Sequence, residues 1–175
     1  MTGFAFHAYI QPMNFIAAKN IPVFALVISG GLISGAWFFQ FVLGYSPCTM
    51  CYWQRWAHWG VLALAALMLI ASRAGQNHSK LFAALIGLAF LVSFGLALWH
   101  VGVEYKWWAG PQTCAVSSVD IEFDINDPLG GLDNVKPPAC SVAAWRFLGL
   151  SMAGWNAVVS LGAAVLSFIG ASRHD

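Results

Sequence analysis

The four cysteines of this chain fall into two pairs of different character. Cys48-Thr49-Met50-Cys51 is a tight Cys-x-x-Cys, the spacing at which two sulfurs close and open a disulfide with little backbone movement. Cys114 and Cys140 are far apart, in a polar stretch. Reversible thiol chemistry, with electrons passing between protein thiols and an acceptor, is what this pattern serves. Ser46-Pro47 precedes the tight pair like a helix start, with Ser46 as N-cap and Pro47 in the first helical position. Cys48 is then expected in the first turn, where backbone N–H groups and the helix dipole favour a thiolate. Arg55 follows Cys51 by one helical turn on the same face. Its cation is expected to hold Cys51 ionised and to donate hydrogen bonds to a carbonyl of a bound ring. The rival expectation is an arginine that snorkels to lipid headgroups.

A disulfide between Cys114 and Cys140 has a structural rival role, because closing a loop of that length would stabilise the fold by roughly 3–4 kcal/mol. Beside the tight pair, a long loop that carries a disulfide between two partners is the favoured reading. A zinc site made of the four cysteines would need two close pairs, and the second pair is not close. His100 and Glu104 are one helical turn apart; haem or metal ligation would require further ligands, so a hydrogen-bonded interfacial histidine is expected there and at His58. Trp53, Trp56 and Trp59, with Trp107 and Trp108, read as an aromatic belt, with the wall of a quinone pocket as the alternative.

The elements that must hold these residues are membrane helices. Of 175 residues, 59% are hydrophobic and only 9% charged, against roughly 25% charged in ordinary globular chains. A net charge of +1 offers no basic patch for phosphates, so no nucleic-acid partner is expected. No removable targeting segment, internal repeat or lipidation motif is read, and the first spanning helix is expected to direct insertion. Four stretches carry the roughly 20 apolar residues that cross a bilayer, over about 21–43, 51–71, 81–103 and 155–171. The expected fold class is all-α: a four-transmembrane-helix bundle making one integral membrane domain over residues 1–175. Gly31-x-x-x-Gly35 would let another helix approach closely.

The connections are unequal. A very short loop covers about 44–50, a brief polar turn runs from Ser72 to Lys80, and a long loop covers about 104–151. The long loop should be irregular from Asp120 to Pro138. Ser141 to Leu150, with Val142, Trp145, Phe147 and Leu148, reads as a short interfacial helix. Four spans put both termini on one side and both cysteine pairs on the other. Lys19, Arg73, Lys80 and Arg173 fall with the termini, against Arg55, Lys106, Lys136 and Arg146 opposite. The shorter terminal side is denser in cations, which favours cytoplasmic termini. Cysteine pairs that cycle through disulfides belong on the oxidising face, so the cysteine loops are expected in the periplasm.

Taken together, Ser-Pro-Cys-x-x-Cys with Arg55, a second cysteine pair in the second external loop, and Trp-x-Phe-Leu-Gly-Leu-x-Met from Trp145 to Met152 resemble the DsbB family, disulfide bond formation protein B. The resemblance runs from the first helix through the last. It implies a multi-pass protein of the bacterial inner membrane with both termini cytoplasmic. It implies that the Cys114–Cys140 disulfide is attacked by a DsbA-like periplasmic thiol oxidase, that Cys140 passes electrons to Cys48, and that Cys51 with Arg55 reduces quinone. The catalytic residues are then Cys48, Cys51, Cys114 and Cys140, the cofactor-binding residue is Arg55, and His100 is a candidate for a histidine near the ring. The cofactor would be ubiquinone or menaquinone, with no metal. Energetics lead to the same acceptor. A DsbA-type oxidant has a potential near about −120 mV, so its reoxidation needs something stronger than glutathione or ordinary disulfides. The chain carries no flavin or nucleotide motif, whereas the hydrocarbon phase supplies quinone. Two rival functions remain: a membrane anchor or assembly subunit with structural disulfides, and a b-type cytochrome subunit.

Overall fold

The computed structural model describes residues 17–75, 78–114 and 139–172. The stretch from Asp120 to Pro138, expected to be irregular, lies outside the described residues. Four helices are long and apolar enough to cross a membrane: α1 (Ile21–Phe41), extended by a 3-10 turn at Ala18–Asn20, α2 (Thr49–Arg73), α3 (Ser79–Glu104) and α4 (Met152–Ser172). The protein is an all-α membrane protein built as a four-helix bundle. The expected spans lie within these helices, apart from the last two residues of the first, and α2, α3 and α4 are longer by one to three residues at each end.

α3 packs most extensively on α4, and α2 packs on both α3 and α1. Small residues make the α3–α4 approach close. Ala157, Ser160, Ala163, Ala164, Ser167 and Gly170 of α4 are all buried, as suits helices that meet without a hydrophobic driving force between them. A Cβ at Gly87 of α3 would stand 3.1 Å from the Phe168 ring. Large apolar side chains such as Val27, Leu67, Ile70, Leu81 and Val92 point outward, where lipid receives them.

Along the bundle axis the interior changes character. Towards the termini it is apolar, around Ile21, Val61, Ala65, Ile86, Phe90 and Ala164. A buried polar layer of Ser29, Gln54, His58, Ser93, Asn156 and Ser160 follows, with residues from all four helices. Beyond it lies a cluster of Cys48, Met50, Val103, Cys114 and Cys140, with Cys51 and Trp53 packed against it.

The segment expected to form an interfacial helix is not helical. Arg146–Phe147 (β1) and Leu150–Ser151 (β2) pair antiparallel as a minimal hairpin, with Arg146 opposite Ser151 and Phe147 opposite Leu150. Leu148 (φ 51°) and Gly149 (φ 82°) both take positive φ, as the tight mirror-image hairpin turn requires and as a right-handed helix forbids. The Trp155 indole donates to the Phe147 carbonyl at 3.1 Å. Ser151 then caps α4, its Oγ accepting from Gly154 N–H at 3.1 Å.

Candidate functional site

α2 starts two residues later than the Ser-Pro signal suggests, and the difference changes the chemistry. Cys48, rather than Ser46, is the N-cap: its backbone is extended, and its sulfur accepts from the N–H of Cys51 at 3.3 Å. An N-cap side chain reaches the N–H three residues on, and that geometry brings the two sulfurs of Cys-x-x-Cys together. They lie 2.7 Å apart and unbridged. The expected thiolate on Cys48 is not favoured. Its thiol is held well above the usual range, first by its hydrogen bond with the Cys51 sulfur and then by burial. The N–H groups of Cys51 and Met50 pull the other way and are outweighed.

Cys114 and Cys140 form a disulfide, with Cα atoms 5.3 Å apart. Cys140 is buried at 1% exposure, and both bridged cysteines belong to the cluster that holds Cys48. Thr49 Oγ1 donates to the Thr113 carbonyl at 3.5 Å, a further tie between the two pairs. The structure therefore brings all four predicted cysteines to one end of the bundle.

Arg55 does not reach out to headgroups. Its guanidinium crosses to α1, donating to Gln40 Oε1 at 2.5 Å and to the Ala36 carbonyl at 3.1 Å, and it lies over the Tyr52 ring. It borders a cavity of about 260 Å³ that Cys48, Cys51, His100 and Glu104 also line. Gly31 and Gly35 form part of another wall, and a Cβ on either would meet nothing within 4 Å. The small-residue spacing in α1 thus opens space instead of admitting a neighbouring helix. The aromatic walls are Phe39, Tyr45, Trp145 and Trp155; Trp56, Trp59, Trp107 and Trp108 face outward like a belt, and Trp53 packs on the cysteine cluster.

Along the cavity wall formed by Gln54, His58, His100 and Asn156 runs a chain of hydrogen bonds that sequence reasoning missed. His58 is buried in the middle of the bundle, not at its rim, and meets Asn156 Oδ1 at 2.8 Å, Ser93 at 3.0 Å and Ser29 at 3.1 Å. Asn156 Nδ2 donates to Gln54 Oε1 at 2.7 Å, and Gln54 Nε2 donates to His100 Nδ1 at 2.8 Å. His100 Nε2 stands 3.7 Å from the Cys48 sulfur and 3.9 Å from Glu104 Oε1. The missed signal was available: Gln54, Asn156 and Ser29 sit inside apolar spans, and polar residues there need partners and mark function.

The family described as Disulfide bond formation protein DsbB matches residues 18–170. Disulfide bond formation protein B of Aromatoleum aromaticum is 31% identical over 150 residues, covering 83% of this chain and 87% of its own. The protein of the same name from Shewanella sp. strain MR-4 is 31% identical over 152 residues, covering 82% and 84%. Disulfide bond formation protein B 2 of Pseudomonas entomophila is 29% identical over 167 residues, covering 92% and 96%. No solved structure matches the chain.

Proposed function

The chain belongs to the DsbB family of disulfide bond formation proteins, and from that premise we propose that it is a thiol:quinone oxidoreductase. It reoxidises a DsbA-like periplasmic dithiol by relaying electrons through its two cysteine pairs to a membrane quinone. The observation that carries the reading is the shared cluster: a buried disulfide packed on a Cys-x-x-Cys whose sulfurs open on a cavity bordered by a guanidinium. In the relay Cys48–Cys51 is first closed as a disulfide by quinone; a partner thiolate then attacks Cys114, the Cys140 thiolate leaves and attacks Cys48 of that disulfide, and Cys51 is released as the thiolate that donates to the ring. The partner's second thiol displaces Cys114, which in turn displaces Cys48 from Cys140, so Cys114–Cys140 closes again and the Cys48–Cys51 pair is left reduced for the next ring. Per cycle the partner dithiol loses two electrons and two protons and becomes a disulfide. The quinone gains both and becomes hydroquinone. Arg55 is the donor to a ring carbonyl, and ubiquinone or menaquinone is the class of ring. A cavity of about 260 Å³ is slightly smaller than the roughly 300 Å³ at which ligand clefts begin, which suits one ring with its tail in lipid.

The cysteine loops face the periplasm and both termini the cytoplasm of the inner membrane, the arrangement that puts disulfide exchange on the oxidising side. Purified protein given a reduced DsbA-like substrate and quinone should consume them one to one. Cys114→Ala should stop partner oxidation while leaving Cys48 and Cys51 oxidisable by quinone. Cys51→Ala should leave Cys114–Cys140 able to oxidise a partner once without turnover. Normal turnover in both variants would return the disulfides to a structural role.

A further inference from the structure

We propose that the reduced Cys48–Cys51 pair, with His100 and Glu104, is a binding site for one thiophilic divalent cation of the Zn²⁺ or Cd²⁺ class. The two sulfurs and one nitrogen of His100 lie within 4.8 Å of one another, the only such trio of metal-binding side chains among the described residues. A tetrahedral ion with bonds of ~2.3 Å to sulfur and ~2.0 Å to nitrogen sets those atoms about 3.5 Å apart, and Cys48 Sγ and His100 Nε2 are 3.7 Å apart. Rotation of the Cys51 thiol away from Cys48 would open the sulfur pair to accept the ion. Cys48 and His100 are buried and Cys51 is half-buried, so the donors are already largely stripped of water.

Glu104 supplies a second, independent observation. Its side chain is 4% exposed, Oε1 lies 3.9 Å from His100 Nε2, and Oε2 is buried with no hydrogen bond of its own, the Ser151 hydroxyl and the Arg146 guanidinium being the polar groups that act on the carboxylate. A buried acceptor left unmatched is costly, and a cation at the trio would supply the missing partner. Ligating histidines use their second nitrogen to fix the ring, and Gln54 already occupies His100 Nδ1. Binding through Nε2 puts the ring proton on Nδ1, so the Gln54 carboxamide must turn its oxygen to receive it, and Asn156, which donates to that oxygen, must turn with it and leave its amide facing a His58 whose Nε2 then accepts. The reaction is coordination alone: two thiols and one M²⁺ give a dithiolate complex and two released protons, and nothing is oxidised. A closed Cys48–Cys51 disulfide offers no thiolate, so the site exists only in the reduced protein. The ion would therefore hold the pair reduced. Formation of the site needs only the reduced pair, so this inference and the quinone relay stand or fall separately.

The test uses the full chain in detergent with Cys114→Ser and Cys140→Ser, reduced by a phosphine, so that Cys48 and Cys51 are the only thiols. Titration with Cd²⁺, read by thiolate-to-metal charge-transfer absorption, should saturate at one equivalent. His100→Ala should weaken binding by more than about tenfold, the least that loss of even an outer-shell partner costs, and Glu104→Gln should weaken it in the same direction. X-ray absorption of the Zn²⁺-loaded parent protein needs no change at His100 and should find two sulfurs with imidazole scattering. Absence of saturable binding, sulfur ligation without imidazole, or a Cd²⁺ affinity unchanged by His100→Ala would each overturn the site, the last reducing it to dithiol chelation.

Discussion

Cys48 holds two positions at once, acceptor for the first turn of α2 and hydrogen-bond partner of the Cys51 sulfur. The second dominates its titration and keeps it a thiol well beyond neutral pH. Because only the thiolate reacts, alkylation of Cys48 should be slow near neutrality and rise about tenfold per pH unit. Cys51→Ala removes the largest cause of the upward shift, so the alkylation profile of Cys48 should move to lower pH. Mass spectrometry after timed iodoacetamide exposure, with Cys114 and Cys140 changed to Ser, measures this; identical profiles with and without Cys51 would refute the coupling. Arg55 is the other residue whose role can be read in rates. A charge-assisted hydrogen bond is worth about 1.5–3 kcal/mol, so Arg55→Ala should raise the apparent KM for quinone by roughly 10- to 150-fold. Arg55→Lys should recover part of the loss, since charge survives and the planar fork does not. An unchanged KM on quinone titration would remove Arg55 from the ring's site. The place of Arg55 one turn beyond Cys51 was legible from spacing, whereas the cap position of Cys48 was not. His100 and Glu104 were visible as a pair one turn apart, but their place beside Cys48 was not, because the contact joins residues 52 positions apart through the packing of two helices.

At the scale of elements, the sequence marks where helices run better than what they do at their ends. A Leu-Gly turn lacks the Asn-Gly signature of a tight hairpin, and Val142, Trp145, Phe147, Leu148 and Leu150 make an apolar stretch too short to span a membrane, which reads as an interfacial helix where the chain makes β1 and β2. At α2, Ser46-Pro47 carried a conventional start signal, and sulfur is not a usual cap, so the register of Cys48 was read wrongly. At α1, spacing alone could not tell a glycine that receives a helix from one that leaves a hollow. Space decides it, and the decision is testable. Gly35→Leu puts a side chain into an empty wall of the cavity, so it should weaken quinone binding at least tenfold with little change in detergent melting temperature. The Cys114–Cys140 disulfide should still form. A glycine that served helix packing would give the reverse, a lower melting temperature with quinone kinetics intact.

At the scale of the whole molecule, bundle architecture and span count were legible from composition, since ~20-residue apolar runs leave few alternatives. The stacking of an apolar half, a polar layer and a cysteine end was not, because it depends on which faces turn inward together. The layer also acts as an address. Ser29, His58, Ser93 and Asn156 come from four different helices and meet around one imidazole, so each helix has one rotation and one height at which every partner is matched. A slip by one turn, about 5.4 Å, would leave polar groups orphaned in hydrocarbon. Information of that kind resides in the helices rather than in the loops that join them. A chain carrying Cys114→Ser and Cys140→Ser, so that no disulfide ties the pieces, and cut between residues 115 and 138 should therefore reassemble when its two pieces are made together, the α4 fragment co-purifying with the three-helix fragment. Asn156→Leu in the smaller piece should abolish that pairing, because an apolar residue erases the address while leaving the span more hydrophobic than before and still able to insert. Pairing that survived the substitution would assign recognition to the close α3–α4 packing instead.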